Sequence, residues 1–582
     1  MSIGRRRNVL MGLCLAAPIF AGLPAASGQT EQRDILVNGT VSKHRVDWKR
    51  AESEHVVVLS KGSPAELTRI TENLERLYQL MSRLYRHGDQ ADDTVKLQVT
   101  LVDSAADLRA MELTSPRSVE GPYLSAFSNL TYYDPREDGE VIAIARGDRI
   151  VDLNTNRAYN LDCDDAMAQG AQQCTGNVPY HPPAVRTWEE SLYAAFARRF
   201  VQTYNPAAYP RWYLDGVGAL FSTVSVRGNG AIDYARPPLS YKLVFRAYGD
   251  LNVRDILEGR YLGDMKMPGW SPYHAWLLAH FFLFSNLKPE RARQFRAYMT
   301  AIYQGKPMTE AAKAFGDMKA LQRDLTGYVD ADKSFARTAA PQAPIEEPLV
   351  TALSPGSAAL VEARLELGAR LASGPDAVAP DTAPATTTAD PTEMSRRDAW
   401  VAQMRDIVAR LPYDADALLF AAETECRAGH DAECRADAER ILATSPDNVR
   451  ALAWKGVALT GQAIAGPAAE RPAALTVARA TIERAIELDR QAPLPLIAYF
   501  QSYTKAGERV PDQAMLGMAT VVRAVPAAPA PRLYLAQELM RQGKPDLARN
   551  LVHILLYGPY DAQQRIAAEA LFPRGDPLSG GR

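Results

Sequence analysis

Apolar positions recur along the chain with two periods, and each period marks a different element. Val56-Val57-Val58-Leu59 is a short continuous apolar run, which predicts a buried strand. Leu67, Ile70, Leu74, Leu77, Leu80, Met81 and Leu84 fall at helical spacing and predict a helix from Pro64 to about Tyr85. Leu97-Gln98-Val99-Thr100-Leu101-Val102 alternates as a half-buried strand does, and Val141-Ile142-Ala143-Ile144 predicts another. Residues 154–183 are polar, with Asn, Asp, Gly and Pro, and read as a long loop. Trp188, Leu192, Phe196 and Phe200 then stack at i, i+4 on a helix over about 187–204, and further helices are expected over 212–222, 273–284 and 289–303. Strands and helices interspersed in this way predict an α+β domain that ends near Asp332.

The pattern changes after that point. Residues 333–356 are rich in Ala and Pro and read as a connector; 358–371 fits one helix. A Pro/Ala/Thr/Asp tract at 373–392 reads as a flexible linker that would let the two sides move relative to each other. Beyond it, Leu411-Pro412-Tyr413-Asp414-x-x-Ala417-Leu418 recurs as Ser445-Pro446-Asp447-Asn448-x-x-Ala451-Leu452, and from Ala417 to Ala451 is 34 residues. That is the tetratricopeptide period. Gly429 and Ala438 stand where such repeats put a turn glycine and a small packing residue. Looser copies lie around Leu496 and Leu533, and an extra loop near Gly466-Pro467 interrupts the period. Residues 395–560 therefore resemble tetratricopeptide units. The resemblance implies an all-α array of helix pairs that folds alone and binds a protein or peptide on a concave face. That face would be lined by first helices at about 415–426, 449–460, 494–505 and 531–541.

Length and charge narrow the function classes. A chain of 582 residues exceeds what one core usually holds, so two or more domains are expected. A formal net charge of −2, with no long basic run, gives nothing that would draw the whole surface to nucleic acid. At the start, Arg5-Arg6-Arg7 precedes an apolar stretch from Val9 to about Leu23, followed by Pro24-Ala25-Ala26-Ser27-Gly28. This is the pattern of a secretory signal over 1–28, too short to span a bilayer comfortably, and no transmembrane span is expected in the mature chain. Arg6-Arg7-Asn8-Val9-Leu10 leaves both the general secretory and the twin-arginine routes open. A periplasmic or secreted location is expected. The cysteines remaining after removal of the signal form two local pairs, Cys163 with Cys174 and Cys426 with Cys434, without Cys-x-x-Cys spacing, and predict two disulfides.

A second resemblance covers about residues 45–330. The features are a long helix, then Ala208-Tyr209-Pro210-Arg211-Trp212-Tyr213-Leu214-Asp215-Gly216, then a helix into Phe221-Ser222-Thr223, with Arg236-Pro237 and the late helix around Tyr273-His274-Ala275-Trp276. Together they resemble a gluzincin-type metallopeptidase domain, which implies a zincin-like α+β fold. Active members carry His-Glu-x-x-His on the first helix, two histidines on one face for zinc and a Glu as general base, with a further acid after the Trp. Aligned to that pattern, Glu190 stands for the first His, Ser191 for the catalytic Glu, Ala194 for the second His and Asp215 for the distal Glu. Ala194 has no donor atom and the Ser191 hydroxyl is no base at neutral pH, so the expectation is no catalytic residue, no metal and no cofactor. Glu190 itself also fits a capping box with Thr187, a salt bridge, or a residual cation site with Asp215. His274 and His280 read as core histidines.

The chain thus divides into a signal (1–28), a degenerate metallopeptidase-like domain (29–335), a connector and linker (336–393) and helical repeats (394–575). The function expected is an exported pseudo-metallopeptidase acting as a protein-binding scaffold. The alternative is a hydrolase with a rebuilt metal site, for example from Glu190, Asp215 and His274.

Overall fold

A computed structural model describes residues 48–85, 95–113, 131–146, 188–227, 230–238, 252–260, 271–285, 287–331, 333, 335–338, 344–371, 391–557 and 562–572. Its strands are β1 (Lys49–Glu52), β2 (Val56–Ser60), β3 (Leu97–Val102), β4 (Thr131–Arg136), β5 (Gly139–Ala145), β6 (Ser225–Val226), β7 (Ile232–Tyr234), β8 (Ala336–Arg337) and β9 (Leu349–Ala352). Six of them form a mixed sheet in the order β4-β5-β3-β2-β1-β9, with β2, β3 and β5 parallel at its centre and antiparallel strands outside. The continuous apolar run of β2 is explained by burial on both faces. Val56 and Val58 enter the main core, whereas Val57 and Leu59 meet Trp48 and Val361 on the other side.

Helix α1 (Pro64–Tyr85) lies on the first face, and Leu67, Ile70, Leu74, Leu77, Leu80 and Met81 are buried there, whereas Leu84, also expected in this stripe, is exposed in the last turn. Four helices follow: α2 (Ala105–Ala110), α3 (Trp188–Tyr204), α4 (Arg211–Ser222) and α5 (Ser271–Phe284). After them come α6 (Pro289–Tyr303) and α7 (Met318–Asp330). The small sheet β6-β7-β8 packs at the end of α4, where Ala235 N donates to Leu220 O.

The described parts of the stretch read as a connector are folded. β8 pairs with β7, and β9 returns to the first sheet as an edge strand against β1, with Glu52 opposite Leu349. Both strands are short, two and four residues, so the Ala/Pro-rich composition around them concealed them. Next come α8 (Pro355–Ala359) and α9 (Val361–Leu371). One side of α9 reaches the first core through Leu365 and the far face of the sheet through Val361. Its other side puts Ala363, Leu367 and Leu371 against Trp400, Val401 and Met404.

From there the chain is all helix: α10 (Pro391–Ala409), α11 (Ala415–Ala428), α12 (Asp431–Thr444), α13 (Val449–Ala465), α14 (Arg471–Leu488), α15 (Pro493–Thr504), α16 (Asp512–Ala524), α17 (Pro529–Arg541), α18 (Pro545–Val552) and α19 (Ala562–Ala570). Successive helices pair as α11–α12, α13–α14, α15–α16 and α17–α18. The repeated motif has a local cause. Asp414 and Asn448 cap α11 and α13 by accepting from Ala417 N and Ala451 N, each at 3.0 Å. Three of the four pair turns use a glycine at positive φ: Gly429, Gly507 and Gly543.

The two halves are not separately attached bodies. All described residues belong to one unit, and a single hydrophobic core runs from Val58, Leu101 and Phe200 to Leu496, Phe500, Leu533 and Val552. The tract 373–392 and the signal fall almost wholly outside the described residues.

Candidate functional site

Three helices build the site. α4 lies between α3 and α5, and two glycines on it set the distances. A Cβ on Gly216 would come within 2.5 Å of Ala275 O, and one on Gly218 within 2.9 Å of Ala194 O. The Asp215-Gly216-Val217-Gly218 step therefore exists to let backbone approach backbone on both sides of α4. Trp212, fully buried, anchors the same helix and donates from Nε1 to the Tyr298 hydroxyl at 3.2 Å.

This packing puts the aligned positions along facing surfaces. Ser191 and Ala194 are buried on α3, each 2 % exposed, and Glu190 is half-buried in the first turn. Thr187, its proposed capping partner, lies outside the described residues. The neighbouring acid, Glu189, takes both ends of the Arg69 guanidinium, Nη1 at 3.1 Å and Nη2 at 2.7 Å. Asp215 is buried, and its partners are cations of the protein itself. Arg198, one turn beyond Ala194 on α3, donates from Nη1 to Oδ1 at 3.1 Å, and Arg211 Nε stands 3.8 Å from Oδ2. A guanidinium thus meets Asp215 from the α3 face that carries Glu190 and Ala194.

These residues do not suit zinc. The donor set lacks nitrogen ligands, Ala194 offers none, and the carboxylate of Asp215 already faces two guanidiniums that a metal cation would have to displace. Among the described residues no group of three or more His, Cys, Asp or Glu side chains is placed to hold a metal ion. That includes Glu190, Asp215 and His274, the set from which a rebuilt site would be made. His274 is buried on α5, and burial pushes its imidazole down to about 4. His280 is fully buried with Nδ1 2.7 Å from the Tyr328 hydroxyl. Arg198 is the participant that motif alignment passed over. Its signal was the i+4 step from Ala194, which repeats the ligand face one turn on.

On the other side of α3, Arg199 and Glu140 form an ion pair with both side chains only 2 % exposed. Glu140 also accepts from Thr203 Oγ1 at 2.7 Å and the Tyr133 hydroxyl at 3.2 Å. Burial of a charge requires this degree of satisfaction, and the pair ties α3 to the β4–β5 hairpin.

The same hairpin reaches into the helical array. Glu137 at its tip meets Arg427 at 3.4 Å and Asp138 meets Arg450 at 3.4 Å, while Glu423 holds both arginines from below. α8 is fixed to the start of α11 in turn. Asp414 Oδ2 accepts from Gly356 N at 2.9 Å, and Asp416 accepts from the Ser354 and Ser357 hydroxyls. Farther along, α17 packs on β4, and the Tyr557 hydroxyl donates to Lys306 O. These contacts come from α11, α13 and α17, three of the four helices expected to line an open concave face, so the chain's own first half already meets them.

Cys426 and Cys434 form a disulfide across the α11–α12 turn. Cys163 and Cys174 lie outside the described residues.

No family model matches the chain, and no curated protein matches it. A solved structure similar to part of it is that of a thermophilic TPR protein from Thermus thermophilus. The identity is 19%, the match covers 31% of this chain and 92% of the other, and the TM-score is 0.28. The helix pairing described above stands on this chain's own contacts.

Proposed function

We propose that this protein is an exported, non-catalytic scaffold. In this reading its first half keeps a zincin-like frame from which the metal chemistry has been lost, and its second half is a tetratricopeptide-like array that presents the molecule to a protein partner. The observation that carries the reading is the Arg198–Asp215 pair beside Ala194 and Ser191. A protein cation stands at the acid that would complete a zinc site, and Ser191, at the position of the general base, has no basic group to activate water. The β4–β5 hairpin and α8 already engage Arg427, Arg450 and the start of α11, so in this reading a partner meets the outer helices and rims of the array. Leu516 on α16 and Leu547 on α18 are exposed there.

Two preparations test this. The purified natural chain is expected to hold no stoichiometric zinc after metal-replete expression and to cleave no peptide above background. The second preparation carries Glu190→His, Ser191→Glu, Ala194→His and Asp215→Glu together with Arg198→Ala. It is expected to take up one zinc per chain, whereas the version retaining Arg198 binds it more weakly. One tightly held zinc in the natural chain would revive the hydrolase reading. No uptake by a folded five-fold variant would remove the zincin-like frame.

A further inference from the structure

A cluster outside this site carries more positive charge than the described structure balances. Asp233, in the middle of β7, is fully buried, and three guanidiniums converge on its carboxylate. Arg227 donates to Oδ2 from Nε at 3.0 Å and from Nη2 at 2.7 Å. Arg236 donates to Oδ2 from Nη2 at 2.5 Å. Arg337, the direct cross-strand neighbour of Asp233 on β8, donates from Nε to Oδ1 at 2.5 Å and from Nη2 to Oδ2 at 3.2 Å. One carboxylate against three guanidiniums leaves two positive charges. Among the described residues no second acidic side chain pairs with them.

Three features distinguish this cluster from scattered surface arginines. The guanidiniums are held in place, since Asp233 grips one edge of each and the Phe335 ring lies under Arg236 at 4.4 Å and Arg337 at 5.6 Å. They remain open to solvent, with side-chain exposures of 44 %, 39 % and 47 %. Arg236 Nε is buried and has no hydrogen-bond partner among the described residues, a donor left over in the middle of the group. Like charges held this closely repel unless an anion joins them, and planar forks arranged around a point suit an oxyanion with several acceptors.

We propose that Arg227, Arg236 and Arg337 form a binding site for a dianionic oxyanion of the phosphate type, with Asp233 as the internal carboxylate that preorganises them. Free phosphate and a phosphate monoester share this chemistry. The full chain is titrated calorimetrically with inorganic phosphate and, separately, with phosphoserine, with acetate at matched ionic strength as the monoanionic control. Saturable one-site binding of phosphate or phosphoserine, but not of acetate, is expected. The tighter of the two identifies the source. Arg227→Gln and Arg337→Gln should each weaken binding about tenfold, the loss expected for one charge-assisted contact. Asp233→Asn removes the carboxylate that orients the guanidiniums, so where it folds, binding should weaken as well. A purely structural cluster gives the opposite pattern: no saturable binding up to about 20 mM ligand, or binding that Arg227→Gln leaves unchanged. Either result overturns the proposal, and the arginine variants decide it even where Asp233→Asn fails to fold.

Discussion

Glu75 shows how single residues in this protein combine burial with charge. Burial raises the pKa of a carboxyl, yet this one is held below its ordinary range by bonds from His55 and Ser53. The Ser53 hydroxyl donates at 2.6 Å, His55 N at 2.9 Å, and His55 Nδ1 lies 2.9 Å away, with the imidazole stacked on Tyr78. An acid whose folded pKa is depressed adds stability above its unfolded pKa of about 4.3, and that stability is lost as pH falls through the folded value. Glu75→Gln should therefore lower stability at neutral pH and flatten the loss of stability below about pH 4. Urea midpoints measured from pH 7 to pH 3 decide it. A variant that runs parallel to the natural chain across the whole range would assign the acid limb to other groups. The acid was legible as a helix residue; its partners were not, because Ser53 and His55 sit across a strand turn from α1.

Among elements, α4 is the one whose placement decides the site, and its glycines are the controlling positions. Gly216→Ala forces a methyl into the Ala275 carbonyl, so α4 and α5 must separate. The expected cost is about 1–3 kcal/mol, as for other overpacked contacts. Gly327→Ala on α7 is the control, because a Cβ there meets nothing within 4 Å. Removing an unneeded helical glycine should leave stability equal or raise it by about 0.5–1 kcal/mol. Thermal unfolding of both variants tests the contrast. Equal melting temperatures would mean that α4 and α5 are not in tight register. The helices themselves were readable: 212–222 was expected and Arg211–Ser222 is found. That two glycines on one helix serve two neighbouring helices was not, since spacing along a chain does not reveal which backbone will arrive.

For the whole molecule, the continuous core and the Arg427–Glu137 and Arg450–Asp138 contacts make the two halves one cooperative body. The full chain should unfold in urea in one transition, with tryptophan fluorescence and circular dichroism coincident. Two separated transitions would mean that the array stands by itself, as a tetratricopeptide resemblance implies. The structure points the other way for a physical reason. Leu367 and Leu371 of α9 are buried in one cluster with Trp400, Val401 and Met404 of α10, and separating the halves at the linker would bare them.

What the amino-acid sequence determined by itself was local. Periodicity located the strands and helices because burial of one face dictates spacing, and the Asp414 and Asn448 caps marked repeating helix starts because orphan N–H groups need acceptors. The lack of a donor at Ala194 and of a base at Ser191 was equally plain, being a matter of side-chain chemistry. Tertiary structure alone decided what fills the space around them. Arg198 comes to Asp215 from 17 positions away, β9 joins the sheet from a segment that reads as a connector, and the acidic tip of a hairpin pairs with Arg427 and Arg450 of the array. Each is a contact between segments that meet only after the chain has folded. Their energies depend on distance and desolvation in space, which no pattern along the chain records.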